Sequence, residues 1–211
     1  MVTSSNRPNR SGQKVQYDVY ISWLKHYGDA YIKRQGGLAY FEIDQYNKEI
    51  IDNLFYWLND SKEGKYDPNK GIYMCGKIGC GKTILMKAFL SVLMAKSGYY
   101  INFFQAPQLY TTFQRFGMDS LKLCPIFIDE LGREQLEIYV NGARVRPIED
   151  LVALRYEFGS MSFYTSNFKL ETLSKGYDEN GRKIGYGEYI GDRLREMNNI
   201  IIMPGDSRRN Q

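Results

Sequence analysis

Histidine is nearly missing from this chain: His26 is the one imidazole in 211 residues. A lone imidazole argues against a His-based catalytic triad and against a His-rich zinc site. Cysteine is almost as scarce. Cys75, Cys80 and Cys124 are odd in number and stand in or beside apolar runs and a glycine-rich loop, which suits neither a disulfide framework nor two metal-binding cysteine pairs. Long apolar runs are absent too. None approaches the roughly 20 residues that a membrane helix needs, and Met1 to Lys14 lacks the hydrophobic segment of a signal peptide. The expectation is a soluble, cytoplasmic protein with no membrane contact.

An excess of one sign of charge is small as well. The net charge is +4, and Met1 to Arg34 supplies all of it, with Arg7, Arg10, Lys14, Lys25, Lys33 and Arg34 against Asp18 and Asp29. The simpler reading of this arm is a solvated tail; the other is contact with nucleic-acid phosphates or an acidic partner.

What is present in quantity is apolar and aromatic surface: 43% hydrophobic residues and 15% aromatic, including 18 Tyr and 11 Phe. A chain of this length is about one large domain, and it can bury a sizeable core without disulfides or metals. The tyrosine excess suits sheet and interface packing, since Tyr offers apolar area and a hydroxyl that tolerates water. Residues 1–14 read as a flexible basic tail, 15–40 as a short helical element that is a candidate for partner binding, and 41–211 as the main domain. Tyr17, Tyr20, Ile21 and Leu24 have helical spacing up to Gly36-Gly37, and Asp44 is placed to cap a helix facing inward through Ile50, Ile51, Leu54, Phe55 and Leu58.

From residue 71 short apolar runs alternate with helical patterns, which predicts parallel strands joined by crossover helices. The runs are Gly71 to Cys75, Tyr99 to Phe104, Pro125 to Ile128, Met161 to Thr165 and Ile200 to Met203; the helices are expected at Lys82 to Ala95, Pro107 to Phe116, Pro147 to Phe158 and Ile184 to Met197. Five strands with interleaved helices predict a three-layer α/β domain with a five-stranded parallel sheet.

Directly after the first run stands Gly76-Lys77-Ile78-Gly79-Cys80-Gly81-Lys82-Thr83, a full match to G-x-x-x-x-G-K-[S/T] followed by a helical pattern. Glycines let such a loop turn its backbone N–H groups onto a phosphate, and the helix start adds its positive end. In this P-loop reading Lys82 reaches the outer phosphates of ATP and Thr83 ligates Mg2+. Cys80 occupies a variable loop position, where a cysteine is usually incidental. Ile126-Phe127-Ile128-Asp129-Glu130 then supplies an apolar strand with two acids at its carboxyl end, the edge where open α/β sheets bind ligands. Asp129 is expected to hold the magnesium through its water shell and Glu130 to polarise the attacking water. If the strand ending Thr165-Ser166-Asn167 lies between those of the phosphate loop and of Asp129, Asn167 emerges where it can sense the γ-phosphate.

These segments, with Asp-Glu-Leu-Gly at 129–132, Leu154-Arg155-Tyr156-Glu157, Gly191-Asp192-Arg193-Leu194-Arg195-Glu196-Met197 and Gly205-Asp206-Ser207-Arg208-Arg209, resemble the AAA+ ATPases of the DnaC/IstB type, bacterial helicase loaders and their transposition relatives. The resemblance implies that Arg193 is an arginine finger reaching a neighbouring subunit's nucleotide, that Arg209 contacts nucleotide or neighbour, and that a monomer hydrolyses ATP poorly. It also implies a homo-oligomer, single-stranded DNA, and a replicative helicase or a transposase as partner. Arg155 is a further candidate for nucleotide or neighbour contact; the simpler readings are that Arg155 pairs with acids on its own helix and that Arg193 pairs with Asp192 or Glu196. Phe113, Arg115, Phe116 and Lys122 suit base stacking and phosphate contact with single-stranded DNA and equally suit ordinary packing. No helical lid is expected after the last strand. The competing readings are a nucleotide kinase, against which Asp129-Glu130 followed by Thr165-Ser166-Asn167 argues, and a degenerate ATP-binding clamp.

Overall fold

Strands buried on both faces have to be apolar without interruption, whereas edge strands are relieved of that demand. The computed structural model, which describes residues 13–140 and 142–208, sorts the apolar runs by this rule. Helices α1 (Tyr17–Arg34) and α2 (Lys48–Leu58) precede β1 (Gly71–Gly76), and α3 (Lys82–Ser97), β2 (Asn102–Gln105), α4 (Leu109–Phe116) and β3 (Ile126–Leu131) follow. A hairpin of β4 (Ile138–Val140) and β5 (Ala143–Val145) leads to α5 (Pro147–Glu157), β6 (Ser162–Ser166), α6 (Leu170–Lys175), α7 (Glu188–Met197) and β7 (Asn198–Met203). The parallel sheet has the order β2-β3-β6-β1-β7. Its interior strands β3, β6 and β1 are buried almost throughout, while the edges β2 and β7 are partly exposed.

The fold is therefore the expected α/β one with five parallel strands. Strand β6 lies between β1 and β3, with Ile72 opposite Phe163 on one side and Ile126 opposite Ser162 on the other. Pairing of β3 with β6 slips between Ile128 and Leu131: three steps on β3 match the two from Tyr164 to Ser166. This extra residue is a bulge at Asp129-Glu130, and bulges re-aim side chains.

Contacts divide the chain into two compact units, one of residues 70–75 and 102–200, the other of 13–69, 76–101 and 201–208. The first has a core of Tyr73, Ile126, Ile128, Leu151, Tyr164 and Leu194 among others. In the second, α1 packs on α3, with the Tyr31 and Ser91 hydroxyls 3.2 Å apart, and the Trp57 ring of α2 meets Phe89 of α3 edge-on at 5.6 Å. Three details depart from expectation. Asn47, not Asp44, is the residue before α2, and Asp44 instead accepts the N–H groups of Tyr46 and Asn47 in the turn ahead of it. The second strand begins at Asn102, since Tyr99 and Tyr100 precede the sheet with Tyr100 exposed. The hairpin and the six-residue α6 are additions to the expected elements.

Among the described residues no helix is long and apolar enough to cross a membrane.

Candidate functional site

The residues expected to handle a nucleotide fall in both units: Gly76 to Thr83 in one, Asp129, Glu130, Asn167 and Arg193 in the other. Loop 76–81 joins β1 directly to α3. Gly79 and Gly81 have φ of +83° and +99°, a region that side chains with a Cβ resist. Lys82 is buried, and its Nζ donates to the carbonyls of Gly76 at 2.8 Å and Lys77 at 2.7 Å, so the ammonium lies inside the curve of its own loop. Helix α3 starts with no capping side chain and no acid in its first turn. The positive end of a 16-residue helix is thus not neutralised by its own side chains, and that is the condition for receiving an anion. Half-buried Thr83 stands in that first turn, Ile78 is exposed, and Cys80 is buried with its Sγ 3.8 Å from the Lys82 Nζ.

The chain's last described segment closes on this loop. Arg208 N–H donates to the Gly79 carbonyl at 3.0 Å, Lys77 pairs with Asp206 at 2.7 Å, and Arg208 pairs with Asp44 at 2.8 Å. Arg209, the residue expected to touch nucleotide or neighbour, lies outside the described residues. Among the described residues, its neighbour Arg208 is the arginine that this segment brings to the loop.

At the end of β3, Asp129 is 3% exposed. Such a carboxylate needs donors, and two come from neighbouring strands: Gln105 of β2 through Nε2 at 2.9 Å, and the Thr165 hydroxyl of β6. The same hydroxyl accepts the Glu130 N–H at 3.3 Å. Gln105 escapes sequence reasoning because its signal is a cross-strand register, Gln105 opposite Asp129. Glu130 sits at φ +60°, a conformation that costs a non-glycine residue about 1–3 kcal/mol and is found preferentially at functional sites. Its carboxylate is held by Arg133 at 2.7 Å in a half-exposed pair. A pair of that exposure contributes about 0–1 kcal/mol, so it opens readily. Asn167 is half-buried just beyond the end of β6, whose Ser166 hydroxyl donates to the Leu131 carbonyl at 2.7 Å. Downstream, Glu134 accepts from the Gly132 N–H at 2.9 Å and from the Tyr186 hydroxyl, and burial pushes its carboxyl above the usual range.

Two arginines depart from the simpler ion-pair readings. Arg193 makes neither suggested ion pair: Asp192 pairs with Arg195 at 2.7 Å and Glu196 accepts from the Tyr156 hydroxyl at 2.5 Å. The Arg193 guanidinium lies instead on the rings of Tyr189 and Tyr156. Arg155 does not pair with acids of its own helix. It is fully buried and donates to the carbonyls of Leu121, Cys124 and Met161 and to the Ser162 hydroxyl, so it ties α5 to the segment before β3 and the start of β6. Burial pulls its guanidinium below the usual range.

A groove of about 410 Å³ on α1 and α2, lined by Tyr17, Lys48, Asp52, Phe55 and Lys65 among others, contains none of the expected site residues. Its charges are matched in pairs, Lys48 with Asp52 and Lys65 with Glu49, so it offers no net charge to a phosphate. Among the described residues no group of three or more His, Cys, Asp or Glu forms a metal cage. Magnesium that arrives with a triphosphate needs only one or two protein oxygens, and Thr83 and Asp129 are of the right type.

A strand leading into the glycine-rich loop, with a further strand inserted between it and the strand of the acids, is the strand order of the AAA+ type of sheet. Comparison with solved structures agrees. A structure of DnaI is similar over 79% of this chain and 86% of its own, at 22% identity and a TM-score of 0.58. A structure of the DnaC helicase loader is similar over 78% of this chain and 94% of its own, at 19% identity and a TM-score of 0.55. The chain shares the fold of these AAA+ domains. No protein-family model matches it, and no curated protein matches it in sequence.

Proposed function

We propose that this protein is a magnesium-dependent ATPase of the helicase-loader type that works as an oligomeric switch on single-stranded DNA and engages a replicative helicase in the cytoplasm. The observation that carries the reading is the phosphate loop between β1 and an uncapped α3, with Lys82 folded into it. Loop N–H groups and the α3 terminus take the phosphates, and Lys82 exchanges its two carbonyl partners for phosphate oxygens. Thr83 and Asp129 hold the magnesium shell, with Gln105 and Thr165 keeping the Asp129 carboxylate oriented. Bound magnesium supplies positive charge to the phosphate oxygens as charge builds on them. Glu130 parts from Arg133 to polarise the attacking water, Asn167 senses the γ-phosphate, and Arg193 of one subunit serves the nucleotide of the next.

Transposition accessory ATPases are the second branch of the resemblance. The helicase branch is preferred because the similar solved structures include that of a helicase loader. Nucleotide titration and phosphate release test the reading together. Lys82→Ala should lose ATP binding, and Glu130→Gln should keep binding and lose hydrolysis by two orders of magnitude or more, about the scale of removing one transition-state group. Full hydrolysis by Glu130→Gln, or unchanged ATP affinity of Lys82→Ala, would refute it. Capture with the Glu130→Gln protein and ATP, followed by identification of a helicase or a transposase, decides the partner.

A further inference from the structure

The face formed by α5 and α7 presents an arginine held without a carboxylate. Two carboxylates stand near Arg193 on α7, and each is engaged elsewhere: Asp192 with Arg195, Glu196 with the Tyr156 hydroxyl. The Arg193 guanidinium carbon lies 4.0 Å from the ring centre of Tyr189, one turn earlier on α7, and 4.9 Å from that of Tyr156 on α5. Its Nη2 also donates to the Tyr189 hydroxyl. The Tyr189 side is open, with that residue 64% exposed. An ion pair would cancel the charge of this guanidinium; two ring faces hold it in place while leaving the charge and most of its N–H donors for an incoming anion.

The geometry points to Tyr189 and Tyr156 as positioning residues for Arg193: a tyrosine clamp that sets the direction in which the guanidinium is offered to a neighbouring subunit's triphosphate. This rests on the reading of Arg193 as a finger acting between subunits. The Glu196 carboxylate fixes the Tyr156 hydroxyl and so braces the ring on α5. A long side chain has many rotamers, and placement errors of about 1 Å at a reacting group reduce rate by about a hundredfold.

The test uses two populations of full-length protein. The donor carries Lys82→Ala, so its own site is silent, and keeps Arg193; the acceptor carries Arg193→Ala and keeps its own phosphate loop. Donor is added to acceptor with ATP, hydrolysis is read as phosphate release, and co-assembly is followed by sedimentation. The donor should stimulate the acceptor. Tyr189→Ala placed in the donor should cut that stimulation about ten- to a hundredfold with co-assembly unchanged. Tyr189→Phe in the donor should recover most of it, since the ring remains, and Tyr189→Ala placed in the acceptor should change nothing. That donor-only effect is one that a merely structural role would not give. Equal stimulation by donors with and without Tyr189→Ala, an equal loss when the substitution is in the acceptor, or loss of co-assembly in place of loss of rate overturns the clamp. If the unmodified donor fails to stimulate, the finger reading falls and the clamp with it, a result distinguishable from failure of the clamp alone.

Discussion

Replacing Gly79 by alanine perturbs the phosphate loop in two separable ways. The first is conformational: φ is +83°, and a side chain with a Cβ in this region costs roughly 1–2 kcal/mol. The second is contact. A Cβ on Gly79 would lie 2.3 Å from the Ser207 hydroxyl oxygen, 2.8 Å from its Cβ and 3.1 Å from its Cα. The hydroxyl can rotate away, but the Cβ and Cα move only with the backbone of the closing segment, whose Arg208 N–H is bound to the Gly79 carbonyl at 3.0 Å. Overpacking of this kind together with a strained hydrogen bond costs about 1–3 kcal/mol.

Gly36 is the internal control. Its φ is +78°, and nothing lies within 4 Å of the place a Cβ would take, so Gly36→Ala carries the conformational cost alone. Gly79→Ala should therefore melt below Gly36→Ala by about 2–12 °C, taking about 2–4 °C per kcal/mol for a chain of this size. Gly79→Ala should also weaken ATP binding, and Gly36→Ala should not. Ser207→Gly added to Gly79→Ala should recover part of the loss, with a coupling of about 0.5 kcal/mol or more in a double-mutant cycle. Equal melting of the two alanine variants with no coupling to Ser207 would refute the packing of residues 203–208 on the loop.

Three further outcomes follow from the geometry. Thr165→Val keeps the shape and removes the hydroxyl that serves Asp129 and Glu130, so urea unfolding should show a loss of about 1.5–3 kcal/mol and magnesium-dependent hydrolysis should fall with ATP binding retained; unchanged stability and rate would contradict it. Arg155→Lys leaves one ammonium for four acceptors, and one or more stranded carbonyls should destabilise by about 1–3 kcal/mol with nucleotide affinity intact; an unaltered melting curve would count against the tie. Burial raises the Glu134 carboxyl above its ordinary 4.5, so the stability tied to its protonated form is fully present below that pH and is lost as pH rises through the folded value. Urea titrations of the native protein and Glu134→Gln should show the native protein losing ground as pH rises from about 4.5 through the folded value; a difference that is flat, or moves the other way, would be fatal to it.

Much of the architecture is legible in the sequence because its signals are local. Gly71 to Cys75, Pro125 to Ile128 and Met161 to Thr165 are unbroken apolar runs, as strands buried on both faces must be, and the phosphate loop is a spacing of eight consecutive residues, Gly76 to Thr83. The hairpin has a local signal too, one easily overlooked: Asn141-Gly142 stands between Ile138-Tyr139-Val140 and Ala143-Arg144-Val145, a strong short-range turn pattern. Helix α6 spans six residues, too few for a 3.6-residue period to declare itself.

The partners of the chemistry are a different matter. Nothing near Gln105 in the chain marks it as a donor to Asp129, 24 positions away. Nothing near Arg155 says that it caps carbonyls of two other segments in place of an acid, or near Arg193 that tyrosines hold it. Motif spacing and apolar periodicity are properties of consecutive residues, and from them the amino-acid order alone determined the strands, the main helices, the phosphate loop and the pair of acids. Which side chain satisfies which buried charge depends on strand register and helix packing, where residues far apart in the chain meet, and only the tertiary structure decided that.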